Sequence, residues 1–150
     1  FLSTSSPAGA VLMGGIRQGP SKPVDPMGTF KPLAQRERLP SPVIIQSLEL
    51  YERDDNWFIR ARSKDGAEGW SVGHPKKMEL SQHVFTNVIT PYMRGKDARN
   101  LDRLVDGVFL NANNYKMQGQ LFWVPLAAAE FAILDLLGKV ANCSAAGKRA

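Results

Sequence analysis

Cysteine is almost missing from this sequence: Cys143 is the single thiol among 150 residues, which excludes an internal disulfide. With His74 and His83 as the two imidazoles, no Cys/His zinc constellation can be assembled either. As a nucleophile Cys143 lacks a histidine nearby in sequence, and an incidental thiol is the expected reading. A charge excess is missing where it would matter. The net charge of +5 would point to nucleic acid or an acidic surface if it were gathered on the folded part. Residues 1–41 hold five basic and two acidic side chains and residues 140–150 add Lys148 and Arg149, which leaves 12 of each sign in residues 42–139. That stretch is neutral, so nucleic-acid binding is not expected. No membrane span is expected, and the apolar run Ala8–Ile16 near the N-terminus is far too short for one. Proline is scarce beyond residue 42, because seven of the ten prolines lie at or before it.

The proline-dense leader, with its scattered Gly and Ser and no sustained period, reads as an unpacked linker over residues 1–41. Its first sixteen residues, "FLSTSSPAGAVLMGGI", look like the remainder of a twin-arginine export signal, in which Phe-Leu follows Arg-Arg and precedes a modest Gly/Ala-rich core. The Arg-Arg pair and an initiator Met are absent from the sequence. The expectation is an exported, periplasmic protein; an untargeted leader on a cytoplasmic protein is the alternative.

From Pro42 the pattern is that of strands. In "VIIQSLELYE" Leu48 and Leu50 fall on one face while Glu49 and Tyr51 fall on the other. Asp54, Asp55 and Asn56 suit a tight turn, and "WFIRARS" sets Trp57, Ile59 and Ala61 opposite Phe58, Arg60 and Arg62. A second turn over residues 65–69 leads into "WSVG", completing a three-stranded antiparallel meander. The period then becomes helical. Val84, Phe85, Val88, Ile89 and Tyr92 line one helix that Pro91 limits near its end. Leu101, Leu104, Val105, Val108 and Phe109 line a second, capped by Asp97 or Asn100. Leu126, Ala129, Ile133, Leu136, Leu137 and Val140 line a third, which closes on Gly138-Lys139, and its alanines permit close packing. Three strands followed by about three helices make an α+β fold.

Gly138-Lys139 and Gly95-Lys96 each contain the Gly-Lys of a phosphate loop, but neither has the upstream glycine or the following Ser/Thr. Glu130 and Asp135, five apart on a helix, lie on different faces and are poorly placed as a catalytic carboxylate pair; interhelical hydrogen bonding suits them better. His74 stands beside Pro75, Lys76 and Lys77 in an expected loop that is either solvated or ligand-facing.

Three stretches taken together carry a family resemblance. "SKDGAEGW" (63–70) resembles the second turn of the N-terminal capping domain in the mandelate racemase/muconate lactonizing enzyme subgroup of the enolase superfamily. "PYMRGKDARNLDRL" (91–104) is similar to that subgroup's Pro-x-x-x-Gly-x-Asp entry into a helix. "AAAEFAILDLLGK" (127–139) looks like its signature helix, with Glu, Ala, Asp and a terminal Gly-Lys in order. The resemblance covers residues 43–142, so the implied organisation is a leader over 1–41, a capping domain over 42–142 and a short tail over 143–150. There are departures: Ser71-Val72 stand where Gly-Glu is usual, and Arg94 and Ala98 replace an apolar residue and a proline. Beyond Lys139 "NCSAAGKRA" does not enter the (β/α) barrel that follows in the family, and the barrel is expected to be missing from this chain.

What the resemblance implies is an enzyme of the isomerase/lyase kind, a racemase, cycloisomerase or acid-sugar dehydratase. It removes the proton α to a substrate carboxylate, using Mg²⁺ and a base carried by the barrel. This chain is expected to be inactive alone, to bind no metal and to carry no catalytic residue. Its implied part is closure and specificity through two lid segments: Asp54, Asp55 and Asn56 between the first strands, and residues 73–78 after the third, with His74, Lys76 and Lys77 meeting a carboxylate substrate. The implied partners are the barrel domain, an acid-sugar substrate and further copies in a homo-oligomer. A stand-alone interaction module that keeps the capping fold is the alternative.

Overall fold

The computed structural model describes residues 38–117 and 119–146. The expected export-signal remnant and the last residues of the expected tail, 147–150, fall outside them. Strands β1 (Ile45–Arg53), β2 (Asn56–Ser63) and β3 (Glu68–Gly73) form an antiparallel sheet in the order β1-β2-β3. The β1–β2 turn has two central residues, Asp54 and Asp55, at φ 52° and 61°, which is the left-handed geometry that matches the twist of a hairpin. Asn56, expected in the turn, opens β2 and donates its Nδ2 to the Asp54 carbonyl at 2.8 Å. At the second turn Gly66 takes φ 85°, and the buried Ser63 closes the loop by accepting the Ala67 N–H on Oγ at 3.1 Å.

The alternation does what the period of two requires: Leu48, Trp57, Ile59 and Ala61 are buried, while Tyr51, Arg60 and Trp70 lie on the opposite face. Helices α1 (Pro75–Val84) and α4 (Gln120–Ala146) cover the apolar face. Between them run a π-helical turn (Phe85–Ile89), α2 (Thr90–Met93), a 3₁₀ turn (Ala98–Asn100), α3 (Leu101–Leu110) and a 3₁₀ segment (Asn111–Lys116). The core is continuous from Leu39, Ile45 and Ile59 through Met78, Phe85 and Ile89 to Ile133 and Leu136. Each such side chain contributes about 1.5–3 kcal/mol by leaving water. Leu39 is 3% exposed, so packing begins ahead of the expected boundary at Pro42.

Three prolines take three different places in the helices. Pro75 opens α1 directly after His74, at the position where a missing N–H costs nothing. Pro91 falls two residues before its helix ends at Met93, as expected. The π-helical turn ahead of it widens the spiral, with the Thr90 N–H bonding the Phe85 carbonyl five residues back, and the helix runs on to Met93. Pro125 lies inside α4, fully buried, so the helix starts six residues before Leu126. Gly138 does not close it: α4 passes through to Ala146, and the first residues of the expected tail are helical. By length and composition Gln120–Ala141 would suffice to cross a bilayer, with half of that window buried in this fold. Ala129, Ala132, Ile133 and Leu136 are wholly buried on its inner side.

Candidate functional site

Strand register places the two expected lid segments together. Trp57 pairs with Gly73, so the β1–β2 turn just before Trp57 and the β3–α1 junction just after Gly73 share one end of the sheet. Asp54, Asn56, His74 and Lys76 are exposed there and Lys77 is half-buried. The expected loop over 73–78 is corrected to a single connecting residue. Gly73 is buried beneath Met78, whose Cγ would stand 2.5 Å from a Cβ at that position, and the Met78 N–H bonds the His74 carbonyl at 2.9 Å. A strand feeding straight into a helix that buries its fourth residue leaves no slack for a flap. The rim presents an imidazole, two ammonium groups, a carboxamide and the Asp54 carboxylate, a set able to form charge-assisted hydrogen bonds to a carboxylate arriving from above.

Glu130 and Asp135 are confirmed as separate. Asp135 Oδ2 accepts the Trp70 N–H at 2.8 Å and Lys139 Nζ at 2.6 Å. Burial pushes its carboxyl up, but the bonds from Lys139 and Trp70 outweigh it and the carboxyl ends below its ordinary range. Glu130 is pushed the other way, first by burial and then by Asp102. On the same contact Ser71 Oγ donates to the Ala128 carbonyl at 2.6 Å. Gly69 lies so close to α4 that a Cβ there would be 2.1 Å from the Ala132 carbonyl oxygen. Gly69-Trp70 and Asp135-Lys139 are thus two halves of one lock between the sheet edge and α4.

The middle stretch is a second lock. Asp97 Oδ1 accepts the Val43 and Arg99 N–H groups, each at 3.1 Å, and its carboxylate pairs with the Arg99 guanidinium at 2.7 Å. Arg99 Nη1 reaches back to the Leu39 carbonyl at 3.0 Å. These bonds overcome the burial of Asp97 and hold its carboxyl below the ordinary range.

Sequence reasoning did not foresee the outer sheet face. Arg60 lies over the adjoining rings of Tyr51 and Trp70, 5.1 and 5.5 Å from their centroids, and pairs with Glu49. Bonds from the Tyr51 hydroxyl and Arg60 hold the Glu49 carboxyl down to about 2. Arg62 pairs with Glu68 at 2.7 Å. The available signal was the strand alternation, which places all of these side chains outward.

No protein-family model and no curated protein matches the chain. Solved structures do. A protein of Roseobacter denitrificans assigned to the racemases superposes with a TM-score of 0.58 at 29% identity, over 64% of this chain and 26% of its own. The mandelate racemase/muconate lactonizing protein of Paracoccus denitrificans PD1222, solved with magnesium, superposes with a TM-score of 0.53 at 24% identity, over 67% and 27%. The chain has the capping fold of the mandelate racemase/muconate lactonizing enzymes of the enolase superfamily. It spans about a quarter of the length of these solved chains. All three resemblance stretches contribute locks of the scaffold, whereas at the rim Asp54 meets Arg53 at 3.5 Å and Asn56 bonds the Asp54 carbonyl. Among the described residues no group of three or more His, Cys, Asp or Glu side chains could hold a metal ion.

Proposed function

We propose that this chain is the substrate-capping part of an enzyme that removes the proton α to a carboxylate, of the acid-sugar dehydratase or racemase/cycloisomerase type. The register pair Trp57 and Gly73 carries the reading, because it brings both expected substrate-facing segments to one rim. His74, Lys76 and Lys77 hold the substrate's distal anionic or hydroxyl groups by charge-assisted bonds. Asp54 and Asn56 select hydroxyls through a turn fixed by the Asn56 bond to Asp54. With a rim this short, specificity comes from fixed side chains rather than from a closing flap. The described residues do not fit a Mg²⁺ site, so the ion of the proposed enzyme belongs to a barrel domain and no step through it is assigned to these residues. The exposed apolar side chains of α4, Trp123 at 43% and Phe131 at 61%, suit burial under such a domain.

The test combines two preparations. The chain alone, with Mg²⁺ and a panel of acid sugars in D₂O, is expected to show no exchange of the α-proton by NMR. A gene product joining this chain to its barrel is expected to show it, and His74→Ala or Lys76→Ala to change kcat/KM by about tenfold, roughly 1.4 kcal/mol. Exchange by the chain alone, or wild-type kinetics in both variants, would overturn the assignment. An inert gene product whose α4 face binds another protein would instead favour an interaction module.

A further inference from the structure

At the end of the sheet away from the β1–β2 turn, a cavity of about 510 Å³ opens between the π-helical turn, α2 and the 3₁₀ segment after α3. Its position is set by backbone bonds: Gly95 and Lys96 pair with Ile45, the first residue of β1, whereas the turn follows the last. Arg94 and Lys96 line it, and no carboxylate does. In a stretch that is neutral overall this imbalance is local. Arg60, Arg62 and Arg99 each face a carboxylate, while Arg94 has no acidic partner among the described residues. The Lys96 ammonium is placed over the Tyr92 ring, 2.9 Å from its centroid, which holds the charge at the cavity wall without neutralising it.

The uncharged wall is equally specific in character. Asn87, Asn111 and Asn114 supply carboxamides, each with both donors and acceptors. Asn114 is buried and oriented by its Nδ2 bond to the Val108 carbonyl at 2.8 Å. Val88 and Pro91 provide apolar contact. Two unusual backbone features border the same space. Asn87 and Val88 come from the π-helical turn, a feature frequent at functional sites. Ala112 is held at φ 48°, a strained conformation for alanine.

We propose that this cavity binds a small polyhydroxylated anion, a sugar acid or sugar phosphate. Arg94 and Lys96 take the anionic group, the three asparagines take hydroxyls, and Val88 and Pro91 take the carbon skeleton. The volume is within the range of small-ligand sites, about 300–1,000 Å³. The proposal is independent of the rim, since it uses none of the rim residues.

The test is a ¹⁵N-NMR titration of the full chain with gluconate, glucose 6-phosphate, inorganic phosphate and uncharged sorbitol at constant ionic strength. At least one of the first two is expected to give saturable shifts in residues 87–96 and 111–114, with a dissociation constant of about 1 mM or tighter. The two distinguish a carboxylate from a phosphate source. Arg94→Gln with Lys96→Gln should weaken binding about tenfold or more. Asn111→Asp, which keeps both cations and adds a repelling charge at an exposed position, should do the same if the double variant folds poorly. Arg53→Gln, at the exposed hairpin end, should leave it unchanged. No saturable shift with either sugar anion, equal binding of sorbitol or inorganic phosphate, or full affinity in the Asn111→Asp variant would overturn the proposal.

Discussion

Replacing Gly69 with Ala adds one methyl group at the point where β3 and α4 are nearest. Its Cβ would stand 2.1 Å from the Ala132 carbonyl oxygen, 2.3 Å from the Leu136 nitrogen and 2.7 Å from the Leu136 Cα. All three are backbone atoms of a helix, so no side chain can swing aside. Restoring ordinary contact requires α4 to withdraw by roughly 1 Å, which is overpacking of the kind that costs about 1–3 kcal/mol. The withdrawal also stretches the exposed Trp70 N–H bond to Asp135 and the half-buried Ser71 bond to Ala128, and the half-buried group left short of a partner adds about 1 kcal/mol. The expected loss is about 2–4 kcal/mol, a large part of the stability of a domain this size. Urea unfolding followed by tryptophan fluorescence reads it, with Gly66→Ala as the reference. Gly66 has φ 85° and open space around it, so that variant should lose only about 1 kcal/mol of backbone strain. Equal midpoints for the two variants would refute the idea that close approach to α4, rather than turn geometry, requires glycine at position 69.

Arg99→Ala removes the guanidinium from a half-buried Asp97 and unties the Leu39 carbonyl; a loss of about 2–3 kcal/mol is expected, with faster amide exchange at Val43 and Ala98. Glu49 has its folded pKa depressed from 4.5 to about 2, so the stability it contributes is present above pH 4.5 and lost as pH falls through 2. Glu49→Gln should therefore lower the urea midpoint at pH 6 and flatten the acid limb between those values, and an unchanged acid limb would count against the Arg60 cluster. Glu130 has the opposite sign: its raised folded pKa favours the protonated form, so its stability is complete below the ordinary carboxylate range and lost as pH rises through the folded value. Glu130→Gln is expected to raise the urea midpoint at pH 7 and to leave it nearly unchanged near pH 3.

Local periodicity alone determined the sheet and the helix faces, because residues two or four apart report on the same surface wherever the chain is finally packed. The opposition of Trp57, Ile59 and Ala61 to Phe58, Arg60 and Arg62 is such a pattern, and so are the Leu101, Leu104 and Val108 stripe and the inner side of α4. The candidate rim was legible only as residue types; that Asn56 and His74 share one end of the sheet depends on the pairing of Trp57 with Gly73. Pro125 and Gly138 misled for one reason. Each has a local preference of a few kcal/mol or less, which the burial of Pro125 and the continuity of α4 override. The cavity at Arg94 joins segments separated along the chain, and Asp135 finds the Trp70 N–H 65 residues away. No local period encodes such a meeting: it follows from how closely a glycine allows a helix to approach a strand, a distance that exists only once both are folded.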